Sequence, residues 1–113
     1  MLSMSINHPD IIDFINVKKD LNEVTNANIS VRVNDEFMKK IHENEEHTME
    51  FYTEATGEKI TRTIPAKDLL FELAKGNHYG GEPGILFWDR VKDWSIMSED
   101  EDYEYKGTNP CGK

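Results

Sequence analysis

A single cysteine in 113 residues rules out an internal disulfide, and with it the small secreted scaffolds that rely on bridges in place of a core. Basic residues are scarce as well. Thirteen Lys and Arg stand against 22 Asp and Glu, a net charge of -9. Such a surface is poorly suited to replacing the counterions of a nucleic acid, so no direct DNA binding is expected. The same balance disfavours an anionic membrane surface. No apolar run approaches spanning length, and the opening MLSMSINHPD lacks the basic start and apolar stretch of a secretion signal. The expectation is a cytoplasmic protein with no membrane partner, in which the NIS sequon at 28–30 has no meaning. Internal repeats and low-complexity linkers are missing too. The length allows one domain at most, with a modest core drawn from a hydrophobic share of 37%.

What remains is a mixed pattern of short elements. HPDIIDFINVKK reads as a helix with Pro9 in its first turn, Ile11, Ile12 and Ile15 on one face, and Lys18 and Lys19 at its negative end. NISVRV reads as a strand with Ile29, Val31 and Val33 on one side and Ser30 and Arg32 on the other. NDEFMKKIHEN is a second helix capped by Asn34, with Phe37, Met38 and Ile41 as its stripe. Two β-rich arms, 49–53 and 59–64, flank EATGE, where Gly57 supplies the turn of a hairpin. PAKDLLFELAKG is a third helix opened by Pro65, closed by Gly76 and buried through Leu69, Leu70 and Leu73. NHYGGEPG is a loop, and ILFW reads as a short strand of the fully buried kind. The fold class is therefore α+β, with a hairpin and about three helices.

Few residues suggest chemistry by spacing alone. His42 and His47 are five apart, which does not place both on one helical face, so a solvated helix end is expected and no metal site. The acidic run Glu99 to Glu104 lacks the alternation of a calcium loop and reads as a solvated segment. GGEPG has the glycines of a phosphate loop without its pattern, so a plain turn is favoured. Cys111, between Pro110 and Gly112, would ordinarily be an inert small hydrophobe.

Several stretches taken together change that reading. The run SMSINHPDIIDFINVKKDLNEVTNANISVRVNDEFM, then GEPGILFWDR, then TNPCG follow one another as in the catalytic chain of ribonucleotide reductases. The resemblance is strongest to the adenosylcobalamin-dependent class II enzymes and runs from about Ser3 to Gly112. It implies that residues 1–113 are a single partial domain, an interior piece of the family's ten-stranded α/β barrel. It implies the family's activity, radical reduction of ribonucleoside di- or triphosphates to deoxyribonucleotides, with adenosylcobalamin as the cofactor of the parent enzyme and none bound to this piece.

The resemblance also implies roles. Residues 104–113 match the strand and tip of the finger loop that runs through the barrel. There Cys111 matches the thiyl radical site and Asn109 the residue that hydrogen-bonds the substrate hydroxyls. The family's base, a Glu, would fall at position 113, where this sequence has Lys. That departure is expected to reflect a foreign residue at a cut end, an interrupted gene or an inactive copy. Residues 19–27 resemble the specificity loop between the effector nucleotide and the substrate base. Lys19, Asp20, Asn22, Glu23, Thr25 and Asn26 are the side chains available there. The implied partners are the ribonucleotide substrate, a nucleoside triphosphate effector, the rest of the reductase chain and a second copy in a homodimer. With one cysteine no reducing pair exists, so the chain alone is expected to be inactive. The alternative is an autonomous acidic α+β interaction module without catalysis.

Overall fold

Leu2–Ser5 form the first strand, β1, which the sequence pattern does not announce. Leu-Ser-Met-Ser alternates apolar and small polar residues over only four positions, and its pairing partner lies far along the chain. The computed structural model describes residues 1–19, 26–97 and 99–110. After β1 come α1 (Ile11–Asn16), continued by a 3-10 turn (Val17–Lys19), then β2 (Ile29–Val33), α2 (Asp35–His42), β3 (Glu46–Tyr52), β4 (Lys59–Pro65), α3 (Ala66–Gly80), β5 (Gly84–Phe87) and α4 (Trp88–Asp93). The strands form two sheets, a parallel one in the order β1-β2-β5 and the antiparallel hairpin β3-β4. Parallel neighbours joined through helices are the βαβ unit of α/β folds, so the α/β class holds, with four α-helices among the described residues.

β2 is the centre of the parallel sheet. Leu2 to Ser5 run in register with Ile29 to Arg32, and Ser30 to Val33 with Gly84 to Phe87. Ile29, Val31 and Val33 are all buried, and Val31 and Val33 join a core with Ile6, Ile11, Ile15, Phe37, Met49, Ala66, Leu69 and Leu73. One face of the sheet is thus covered by α1 and α3, whose apolar residues recur at helical spacing.

The local signals at α2 act as the sequence implies. Asn34 is extended and its Oδ1 accepts the Phe37 N–H at 2.8 Å, while Asp35 and Glu36 occupy the positive end of the helix dipole. Phe37 is fully buried, and Met38 and Ile41 pack against the core. The hairpin matches as well, although its first arm starts three residues earlier and ends one earlier than expected, its second is one residue longer, and Gly57 has φ 69° in the turn.

Three expectations need correction. Pro9 is buried in a turn before α1, and Asp10 occupies the cap. Gly76 does not close α3. The helix runs on to Gly80 and stops at Gly81, whose left-handed φ of 76° suits glycine and whose N–H bonds to the Asn77 carbonyl. Gly76 is instead a contact point, because a Cβ there would come within 3.3 Å of both the Glu82 carbonyl oxygen and Pro83 Cδ. Finally, β5 is not fully buried. It is an edge strand among the described residues, and Ile85 and Phe87 are 38% and 50% exposed on the helix side of the sheet.

Candidate functional site

The second face of the parallel sheet differs in kind from the first. Paired residues of a parallel ladder share a face, so Ser3, Ser5, Ser30, Arg32, Gly84 and Leu86 project together. These are small or polar with one exception. Gly84 sits close to β2, since a Cβ there would lie 3.2 Å from Ser30 Oγ. Arg32 stacks its guanidinium 5.1 Å from the centre of the Trp88 ring. Its Nη1 donates to the Lys106 carbonyl at 3.5 Å, and its buried Nε has no hydrogen-bond partner among the described residues. Tyr105 in turn lies against Trp88, 5.8 Å between ring centres. The C-terminal segment therefore reaches the polar face at the carboxyl end of β2, where open α/β sheets and α/β barrels place their ligand-binding residues. A cavity of about 300 Å³ opens at that end, lined by Ser5, Asn7, Arg32, Val33, Asn34, Trp88, Asp89 and Lys92.

Asn109 lies at the end of this segment, exposed, and the Thr108 hydroxyl donates to its carbonyl at 3.1 Å. Cys111 and Lys113 fall outside the described residues. So do Asp20, Asn22, Glu23 and Thr25, and the side chain of Lys19. Asn26 is exposed in a turn before β2. The entrance and exit of this loop region are held at the opposite, amino end of β2. Glu82 pairs with Lys18 there through Oε2, and its Oε1 accepts the Ile29 N–H at 3.2 Å. The loop stems and the anchor of the C-terminal segment thus occupy opposite ends of one strand.

The histidines divide. His42 is exposed at the end of α2, as expected, but His47 is 3% exposed on β3 and is no solvated helix end. Its Nε2 lies 3.0 Å from the Ile6 carbonyl, so Nε2 carries the proton and donates. The ring meets Phe37 edge-on at 4.9 Å, and its buried Nδ1 has no hydrogen-bond partner among the described residues. Burial, reinforced by Lys40, lowers its pKa below the ordinary histidine value despite the Ile6 hydrogen bond and Glu36. A second cavity of about 430 Å³ lies beside it, lined by Asn7, Glu36, Lys40, His47, Thr48 and Glu50. Among the described residues no group of three or more His, Cys, Asp or Glu could hold a metal ion. Residues 99–104 are exposed throughout, in agreement with a solvated acidic run.

A three-stranded parallel sheet with an apolar helix-covered face and a polar face reached by the chain's own segment fits a piece of an α/β barrel wall. The barrel domain of ribonucleotide reductase matches this sequence over residues 1–113. The chain belongs to that family. The vitamin B12-dependent ribonucleoside-diphosphate reductase of Mycobacterium tuberculosis (strain CDC 1551 / Oshkosh) is 33% identical over 114 residues, covering all of this chain and 16% of the relative. The vitamin B12-dependent ribonucleotide reductase of Streptomyces avermitilis is 31% identical over 136 residues, covering all of this chain and 14% of the relative. The vitamin B12-dependent ribonucleoside-diphosphate reductase of Thermoplasma acidophilum is 32% identical over 111 residues, covering 97% of this chain and 14% of the relative. The chain thus spans about one-sixth of the length of the curated relatives it matches.

Sequence reasoning missed Glu82 and underused Arg32. The alternation of NISVRV does place Arg32 opposite the core, which was the available signal. Nothing local marks Glu82, whose partner Lys18 is 64 residues away in sequence.

Proposed function

We propose that this chain forms part of the catalytic barrel of an adenosylcobalamin-dependent ribonucleotide reductase, which reduces ribonucleotides to deoxyribonucleotides for DNA synthesis. The observation that carries this reading is the family match over every residue, joined to relatives whose names all specify vitamin B12 dependence. Cys111 is the hydrogen-abstracting thiol. As a thiyl it takes the 3'-hydrogen of the ribose, forming S–H and leaving the unpaired electron on carbon. Sulfur suits this because S–H and ribose C–H bonds are of similar strength, whereas the O–H of a serine is too strong to be opened. Asn109 holds the substrate hydroxyls, and the 19–27 loop reads base and effector. A homodimer and a nucleoside triphosphate effector complete the assembly.

Neither the cavity at Arg32 nor the one at His47, about 300 and 430 Å³, is large enough to enclose a corrin. On this reading other parts of the reductase hold adenosylcobalamin. The chain alone is inactive on this reading, since one thiol cannot supply a reducing pair. The alternative of an autonomous interaction module gains no support from the relatives.

The test is Cys111→Ser in the full-length reductase, with adenosylcobalamin supplied and deoxynucleotide formation measured. Turnover is expected to vanish while substrate binding survives. Appreciable product from the Ser variant would overturn the radical role.

A further inference from the structure

We infer that Glu82 is a positioning residue for substrate specificity, a clamp that fixes both stems of the segment entering at Lys18 and leaving at Ile29. This rests on the reading of residues 19–27 as the specificity loop. The carboxylate uses both oxygens on that segment. Oε2 takes the Lys18 ammonium at the entrance, and Oε1 takes the Ile29 N–H at the exit, 3.2 Å away. Lys18 and Glu82 are only 21% and 25% exposed, so water competes weakly for this pair. The exit is fastened from its other side as well, because the Asn28 carbonyl accepts the Leu2 N–H at 2.8 Å.

Glu82 itself stands on a rigid turn. Asn77 Nδ2 donates to both the Gly81 and the Pro83 carbonyls at 3.3 Å, and Pro83 is fully buried. The Glu82 carbonyl and the Pro83 ring pack closely on Gly76 of α3, where a Cβ would lie 3.3 Å from each. The chain of contacts therefore runs from the core helix α3, through a braced turn, to one carboxylate that holds two stems. GGEPG is accordingly more than a connector.

The functional consequence follows from linkage. An effector changes base preference only by the difference in free energy it creates between loop states. If the stems yield, several loop conformations accept every base, and that difference shrinks. Loosening the clamp should therefore narrow the spread of preferences among substrates, with the loss falling on discrimination more than on turnover of the preferred substrate.

The experiment uses the full-length reductase, with reduction of the four ribonucleotides measured under each deoxynucleoside triphosphate effector. The variants are Glu82→Ala, Glu82→Gln, Lys18→Met and Lys18→Arg. Exchange of residues 19–27 for a relative's loop serves as the control for the loop reading. Glu82→Ala should narrow the effector-dependent preference ratio by at least about 5-fold, the lower range of ordinary allosteric coupling. Lys18→Met should act in the same direction, and Lys18→Arg, which keeps the charge, should stay near the parent. Hydrogen exchange of the peptide containing Ile29 should rise in Glu82→Ala. If Glu82→Ala does not fold, Glu82→Gln and Lys18→Met carry the test, since each removes the ion pair and keeps an acceptor for Ile29. If the loop exchange alters preference but none of these variants does, the clamp is refuted and the loop reading stands. If the loop exchange leaves preference unaltered, the loop reading fails and the specificity role of Glu82 falls with it.

Discussion

His47 should make the junction of β1 and β3 weaken in mild acid. The buried ring donates from Nε2 to the Ile6 carbonyl, and its Nδ1 has no hydrogen-bond partner among the described residues. The groups facing it are Lys40 and Glu36 from α2, the Phe37 ring edge from the same helix, and Glu50 from its own strand beside the shared cavity. Burial is the largest influence and lowers the pKa, so the folded protein holds the neutral ring below the pH at which an unfolded chain would protonate. The unfolded state then binds more protons, and stability falls as pH drops below about 6.5. It stops falling once the pH is below the folded value. The slope within that window is at most about 1.4 kcal/mol per pH unit, the linkage limit for one proton. Protonation would also add an Nδ1–H that has no acceptor among the described residues, which is part of the same desolvation cost. His47→Gln isolates the effect, because the amide can still donate to Ile6 but cannot titrate. It should lose the contact with Phe37, about 0.5–1.5 kcal/mol, and be flat over the window where the parent declines. Hydrogen exchange of β1 and β3 amides from pH 7.5 to 5, corrected for intrinsic rates, measures both. An equal decline in parent and His47→Gln would refute the assignment, since Glu36, Lys40 and Glu50 are common to the two.

Two further expectations concern the scaffold. Gly76→Ala would gain about 1 kcal/mol of helix propensity but force a contact against a braced turn, typically about 1–3 kcal/mol, so a net loss of roughly 1 kcal/mol is expected as a lowered melting temperature. Asn34→Ala removes the cap of α2 and should cost about 1 kcal/mol in denaturant titration, with Asn34→Ser recovering most of it.

Where structure follows from neighbours in the chain, the sequence was readable. Asn34 caps α2 because Phe37 is three residues on, and Gly57 turns the hairpin because its positive φ is a local requirement. Long-range pairing was not readable. Leu2–Ser5 is a strand only because β2 lies beside it, and His47 is buried only because the hairpin folds its first arm over Phe37. Gly76 illustrates the competition directly. Its composition signals a helix end, but α3 continues because the glycine meets the turn at Glu82 and Pro83. The roles proposed for Asn109 and Cys111 rest on resemblance to a family alone, since a lone cysteine has no spacing to interpret. Arg32 was legible as a face and not as a contact, because Trp88 and Lys106 come from distant parts of the chain.

The two faces of the parallel sheet explain why these residues belong to a barrel wall. Parallel strands are ordinarily covered on both faces, because their crossovers place helices there. Here α1 and α3 cover one face, and the other carries Ser3, Ser5, Ser30 and Arg32, which no apolar helix could pack against without stranding their polar groups. A sheet that curls on itself resolves the conflict. Its inner face then encloses polar side chains and a strand-like segment with carbonyls to offer, and the Lys106 carbonyl on Arg32 is such a contact. The same geometry accounts for the exposed Ile85 and Phe87. They lie on the helix side of the edge strand β5, the side on which a barrel's crossover helices pack.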